Sequence, residues 1–140
     1  MEVVINYWAV FGAAVVAMIL GALWYGPVFG TQWMTMTGLT PEGMKAMKML
    51  PGMAMGLGFI TTLLMAYVLS HVIVFASAYL RMTGPMSGMS SGFWMWLGFA
   101  VPLTAGAFLW EGKPIKLWLL NAAYYLVSLP IMGAILGYFP

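Results

Sequence analysis

Four long stretches without a single charge constrain this chain more than any other feature. No Asp, Glu, Lys or Arg occurs between Glu2 and Glu42, between Lys48 and Arg81, between Arg81 and Glu111, or after Lys116. Each stretch holds the roughly 20 apolar residues that an α-helix needs to cross about 30 Å of hydrocarbon. The runs are continuous and do not alternate apolar with polar, so helices rather than barrel strands are expected. A helix also satisfies its own backbone polar groups where no water can. The sequence therefore predicts an all-α membrane protein, a compact bundle of four transmembrane helices over approximately 6–28, 53–79, 91–110 and 117–138.

Charged residues make up 6% of the chain and hydrophobic ones 64%, against about 25% and 45–50% in soluble domains. A soluble fold of this size has too much surface to cover with so few charges, which makes lipid the expected solvent for much of it. At 140 residues the chain reads as a single transmembrane domain. The opening Met1-Glu2-Val3-Val4 lacks the basic region of a secretory signal, so the first helix is read as a retained span. No Lys/Arg cluster tracks a phosphate backbone, which excludes nucleic acid as a partner. Without Cys there is no disulfide framework, thiolate metal site or Cys nucleophile.

Turn and interface residues fall where four spans require them. Gly26-Pro27 closes the first helix, Pro51 suits the first turn of the second, Gly84-Pro85 precedes the third, and Gly112-Lys113-Pro114 links the third to the fourth. Tyr7, Trp8, Trp24, Tyr25, Tyr79, Trp94, Trp110, Trp118 and Tyr138 collect near the expected interfaces as an aromatic belt. Lys45, Lys48, Lys113 and Lys116 lie in the two loops on one side, and only Arg81 lies on the side of both termini. The positive-inside rule then places both termini outside the cytoplasm. Thr40-Pro41-Glu42-Gly43 followed by Met44–Leu50 suggests a short amphipathic helix over 41–50, capped by Thr40, on the membrane surface.

Two segments read alike: Gly21-Ala22-Leu23-Trp24-Tyr25-Gly26-Pro27 followed by Trp33, and Gly106-Ala107-Phe108-Leu109-Trp110-Glu111-Gly112-Lys113-Pro114 followed by Trp118. One reading is a parallel two-helix repeat; the other is the ordinary recurrence of Gly, Pro and Trp at membrane interfaces. The same residues carry a family resemblance. Asn6-Tyr7-Trp8-Ala9-Val10, the stretch from Gly21 through Val28-Phe29-Gly30 with Trp33, and Thr37-Gly38-Leu39-Thr40 contribute to it. So do Trp110-Glu111-Gly112-Lys113-Pro114 and Asn121-Ala122-Ala123-Tyr124-Tyr125-Leu126-Val127-Ser128-Leu129. Nearly end to end, the chain resembles the small bacterial integral-membrane family known as domain of unknown function 1761. That resemblance implies four hydrophobic segments in a bacterial cell membrane, and it implies no catalytic residue.

Candidate binding residues are few. His71, the one His, lies midway along the second helix with Tyr67 one turn before it on the same face and Ser70 adjacent. An intramembrane ionisable group suggests a proton relay or ligand contact; the plainer reading is a neutral His hydrogen-bonded to a neighbour, since a lone His completes no metal site. On the fourth helix Asn121, Tyr124, Tyr125 and Ser128 fall at i, i+3, i+4 and i+7, one stripe that must face protein or a wet cavity. They line a pocket or form an interhelical seam, and Pro130 below them frees a carbonyl near Leu126 and predicts a kink. Trp24, Tyr25 and Glu111 complete the pocket candidates, although Glu111 is near enough to Lys113 and Lys116 to be neutralised at headgroup level.

Small residues predict close helix contacts: Ala13, Ala17 and Gly21; Gly52 and Gly56; Gly133 and Gly137. Fifteen Met residues include Met34, Met36, Met44, Met47, Met49, Met53 and Met55 around the first connection, and Met82, Met86 and Met89 around the second. Thioethers select Cu(I), but Met also fills irregular apolar gaps, and no Cys or second His reinforces these clusters. No nucleophile elbow, phosphate loop, paired catalytic carboxylates or metalloprotease helix is present, so no catalytic residue, cofactor or metal site is expected. The sequence favours a structural or accessory subunit, or a small-ligand binder, with membrane lipids and itself (a homo-oligomer) or a larger complex as partners. A minimal oligomeric transporter using the polar residues is the alternative; Cu(I) handling and membrane catalysis rank lower.

Overall fold

A computed structural model describes residues 3–140, and among them every regular element is helical. Four helices are long and apolar enough to span a membrane: α1 (Tyr7–Val28), α4 (Pro51–Leu80), α5 (Pro85–Leu109) and α6 (Ile115–Tyr138). Two short helices lie between the first pair, α2 (Gly30–Thr37) and α3 (Pro41–Lys45). No more than a third of any span is enclosed by the rest of the chain, 33% for α6 and 6% for α5. The remainder is apolar surface that acyl chains must cover.

The chain ends its helices with local chemistry. Asn6 caps α1, its Oδ1 accepting from the N–H groups of Trp8 at 3.1 Å and Ala9 at 3.2 Å. Toward the far end α1 widens into a π turn at Trp24–Val28, where the Phe29 N–H reaches the Trp24 carbonyl at 2.8 Å. Pro27 sits inside that turn; it donates no N–H and crowds the carbonyl one turn back, and a wider turn relieves both problems. α5 contains a second π turn at Trp96–Ala100, just before Pro102. The two Pro-ended stretches that read alike in sequence therefore differ locally. Trp24–Val28 is a π turn, whereas Gly106–Leu109 is a short α-helical piece followed by the open connection at Glu111–Pro114.

Two expectations need correction. The third span begins at Pro85 rather than near 91, because Gly84 and Pro85 set the first turn and Ser87, Ser90 and Ser91 are accepted within it. The surface helix after Thr40 covers Pro41–Lys45, not 41–50; Thr40 caps it through Gly43 N–H at 3.0 Å, but Leu50 is held extended by the following Pro51. α6 carries Pro130 inside one continuous helical element.

α5 and α6 form the most extensive helix contact; α1 packs on α4 and α6, and α4 also touches α5 and α6. Glycine makes the α5–α6 contact. A Cβ on Gly88 would collide with the Gly133 carbonyl, one on Gly92 with the Leu129 carbonyl, and one on Gly133 with the Gly88 carbonyl. Backbones meet directly there, as small residues permit in lipid. The α1 contact is built from Ala13, Ala14 and Ala17, all fully buried, against a core with Ala66, Leu69, Met132 and Leu136. Gly52 and Gly56 behave differently, with nothing within 4 Å of an added Cβ.

Replacing Gly88 or Gly133 by Ala is expected to destabilise the protein by about 1–3 kcal/mol through overpacking. Gly12→Ala, where a Cβ meets open space, should change stability by less than about 0.5 kcal/mol. Reversible unfolding of the detergent-solubilised protein in SDS checks both.

Candidate functional site

The α6 stripe faces α1 near the Lys-bearing end of the bundle and forms a seam. The Tyr25 hydroxyl donates to Asn121 Oδ1 at 2.8 Å, so the amide that could not face lipid is satisfied across the helix pair. One turn further, the Tyr124 hydroxyl donates to the Ala17 carbonyl at 2.9 Å and passes over Gly21, whose absent side chain leaves it room. Both partners come from α1, and the π turn positions Tyr25 to reach α6.

Aromatic rings pack around these two bonds. Tyr25 and Tyr124 lie with ring centres 5.4 Å apart, Tyr124 and Tyr125 5.1 Å, and Trp24 and Tyr124 6.2 Å. Phe29 covers Trp24 at 4.7 Å, and Trp33 of α2 meets Tyr25 edge-on at 5.8 Å. Edge-on and tilted geometries at these separations are the favourable ones for ring pairs. Trp24, Tyr25, Asn121, Tyr124 and Tyr125 thus come together, and Phe29 and Trp33 join them from the turn and helix that follow. Ser128 lies one turn beyond Tyr124, fully buried, and its hydroxyl has no hydrogen-bond partner among the described residues; neither has the Trp24 indole N–H.

His71 and Tyr67 form a separate group. His71 is half-buried, with Nδ1 2.9 Å from the Tyr67 carbonyl. A carbonyl only accepts, so Nδ1 carries the hydrogen and Nε2 is the ring's free acceptor when the imidazole is neutral. Tyr67 sits edge-on to His71 at 4.5 Å and stacks near Tyr7 at 6.3 Å, and Phe75 lies 6.4 Å from His71 on the other side. No hydrogen bond or ring contact joins this group to the α6 seam. Glu111 is exposed in the connection before α6 and belongs to neither group. Met44, Met47, Met49, Met53 and Met55 are exposed, while Met34 and Met36 are half-buried on α2. Among the described residues no group of three or more His, Cys, Asp or Glu side chains comes together to hold a metal ion.

The profile of a family described as protein of unknown function (DUF1761) matches residues 8–137. The chain belongs to that family. No curated protein and no solved structure matches it. The family description assigns no activity, so the geometry of this DUF1761 chain must carry the functional reading.

Several contacts in the DUF1761 chain were not apparent from sequence. Trp96 Nε1 donates to the Ala122 carbonyl at 2.8 Å and Trp118 Nε1 to the Val101 carbonyl at 3.3 Å, tying α5 to the same part of α6. The first follows from the π turn that begins at Trp96, which periodicity does not reveal. Gly84, Gly88 and Gly92 repeat every fourth residue, a visible signal; Gly84 and Gly88 meet Gly137 and Gly133, and Gly92 meets Leu129.

A Tyr25→Phe and Asn121→Ala double-mutant cycle should give a coupling of about 0.6 kcal/mol, and no more than about 1.7 kcal/mol, the mean and maximum for interhelical hydrogen bonds in membranes. Ser128→Ala should stabilise by roughly 1 kcal/mol, because it removes a desolvated hydroxyl that makes no bond. Chemical or SDS unfolding in one detergent measures both.

Proposed function

We propose that the protein acts by association within the membrane, pairing with a second copy of itself through the first turns of α4. One observation carries this reading. Every residue from Pro51 to Leu57 is exposed, and Gly52 and Gly56 present bare backbone with nothing in the chain packed against it. Helices in lipid gain no hydrophobic benefit from meeting; small residues spaced by four are what let their backbones approach. The chain already uses such spacing between α5 and α6, where carbonyl meets glycine. The same arrangement stands open on α4, with Met53 and Met55 beside it as adaptable packing groups.

The polar residues support association over transport. The α6 stripe spends its Asn and one Tyr on bonds to α1, and His71 bonds within its own helix, so the two groups do not line one path. In this reading the seam is a structural element and the exposed α4 turns are the working surface, with lipid and a second subunit as partners. The distribution of Lys45, Lys48, Lys113 and Lys116 against Arg81 supports termini outside a bacterial cytoplasm.

The absence of native Cys makes the test direct. In isolated membranes treated with a mild oxidant, Met53→Cys, beside Gly52 and Gly56, is expected to give a disulfide-linked dimer, and Leu103→Cys on the exposed face of α5 is not. Adding Gly56→Leu should reduce the Met53→Cys dimer several-fold. A monomer in native mass spectrometry together with no cross-link at residue 53 would defeat the proposal.

A further inference from the structure

One face of α4 is covered by the rest of the chain and the other is bare. On the covered face Ala66, Leu69 and Ile73 meet the core, and Ser70 and Ser77 line a cavity between the ends of α4 and α6. On the bare face Met53, Leu57, Ile60, Leu64, Tyr67 and His71 follow one another at alternating steps of four and three residues. That is the heptad spacing of a helix–helix contact, with Met53, Ile60 and Tyr67 in one row and Leu57, Leu64 and His71 in the other. The first five are 38–62% exposed, against 0% for Ala66 and 2% for Leu69. His71 is half-buried.

The two polar positions of this stripe are complementary in a way that one chain does not use. His71 Nδ1 is committed to the Tyr67 carbonyl, so Nε2 of the neutral ring can only accept. The Tyr67 hydroxyl is a donor without a hydrogen-bond partner among the described residues. Its ring packs edge-on against His71 with centres 4.5 Å apart, yet no bond joins the hydroxyl to Nε2. Acyl chains offer neither group a partner. A second copy of the chain brings both. Copies inserted in one orientation meet with their α4 helices parallel. In a parallel heptad pairing, a side chain at the His71 position enters a hole whose wall includes the residue four before it on the facing helix, which is Tyr67. Two-fold symmetry makes that contact reciprocal.

We infer that two copies pair in parallel along this stripe, the Tyr67 hydroxyl of each donating to His71 Nε2 of the other. The inference rests on the self-association proposed above and carries it from the first turns of α4 to residue 71. It also sets the crossing. Heptad rows stay in contact over their length at a shallow left-handed angle of about +20°, with Gly56 lying between Met53 and Ile60 along the contact. A steeper crossing at Gly52 and Gly56 alone would splay the helices before residue 67. Sliding one copy by a turn breaks both bonds, so the polar pair fixes the register, as a single polar residue in a coiled-coil core does.

The test uses full-length chains carrying Leu103→Cys as the dye-labelling site, reconstituted in phosphatidylcholine liposomes, with dimerisation read by energy transfer. An interhelical hydrogen bond in a membrane is worth about threefold in affinity on average. Tyr67→Phe and His71→Phe each keep a ring and remove both bonds, so each should weaken the dimer about eightfold. Mixing the two variants is the decisive measurement. A mixed pair keeps one bond, from Tyr67 of the His71→Phe copy to His71 of the Tyr67→Phe copy, and should form about threefold in excess over random pairing. Lost packing alone gives no such preference. If Met53→Cys still cross-links while the Phe variants pair as tightly as the unsubstituted chain, or mix at random, the Tyr67–His71 contact is overturned and association at Gly52 and Gly56 stands. Absence of a dimer by both energy transfer and cross-linking overturns both.

Discussion

Direct backbone contact between α5 and α6 is the interaction on which the rest of the bundle depends. In a bilayer, moving an apolar side chain from lipid to protein gains little, so helix pairs are held by van der Waals fit, hydrogen bonds and lipid release. Gly88 and Gly133 place each other's carbonyls where a Cβ would stand, and Gly92 and Gly137 extend the contact in both directions to Leu129 and Gly84. At that separation Cα–H groups and carbonyls of the two helices face one another, a weak bond that recurs at such crossings. α5 encloses few side chains of its own, so this line of glycines, with the Trp96 bond to Ala122, is what fastens it.

α1 joins the pair by a different route. Its alanines give a smooth face toward the core, and the directional contribution comes from Tyr25 and Tyr124, one hydroxyl donating in each direction across the α1–α6 boundary. These bonds fix register as well as contact. Tyr124 passes over α1 where Gly21 leaves space, and Tyr25 reaches Asn121 from within the π turn around Pro27. The proline that would ordinarily weaken a span thereby aims a side chain, a use to which π turns are often put.

The spans were legible because charge is so costly in hydrocarbon that its absence marks each of them, and Pro85, Pro51 and Asn6 mark starts by simple capping rules. The α6 stripe was legible for the same reason: an amide in lipid must find a partner, and Tyr25 is that partner. What could not be read was which residues on other helices complete each group. Spacing placed His71 and Tyr67 on one face correctly, but nothing in it says that this face looks away from α6. The π turn at Trp96 was equally hidden, since one extra residue in a turn leaves no trace in an all-apolar run. Ser70 was visible only as a neighbour of His71; its pairing with Ser77 in one stripe was available from spacing and gains meaning only with the cavity beside it.

The two ends of the bundle divide the polar groups unequally, and that asymmetry bears on function. Around the seam at the Lys-bearing end the polar side chains are closed into a bond or a ring contact, with the Trp24 N–H and, one turn beyond Tyr124, the Ser128 hydroxyl as exceptions. At the Arg81 end the serines of α4 face empty volume. The register explains the difference. α4, at 30 residues, outruns the 22 of α1, and its last turns pass the start of α1 without a helical neighbour on that side. α5 and α6 are drawn together by glycine, so neither shifts to fill the gap. A cavity at that end is thus a consequence of helix length and glycine packing, and the hydroxyls that line it sit where a longer α1 would otherwise have buried them.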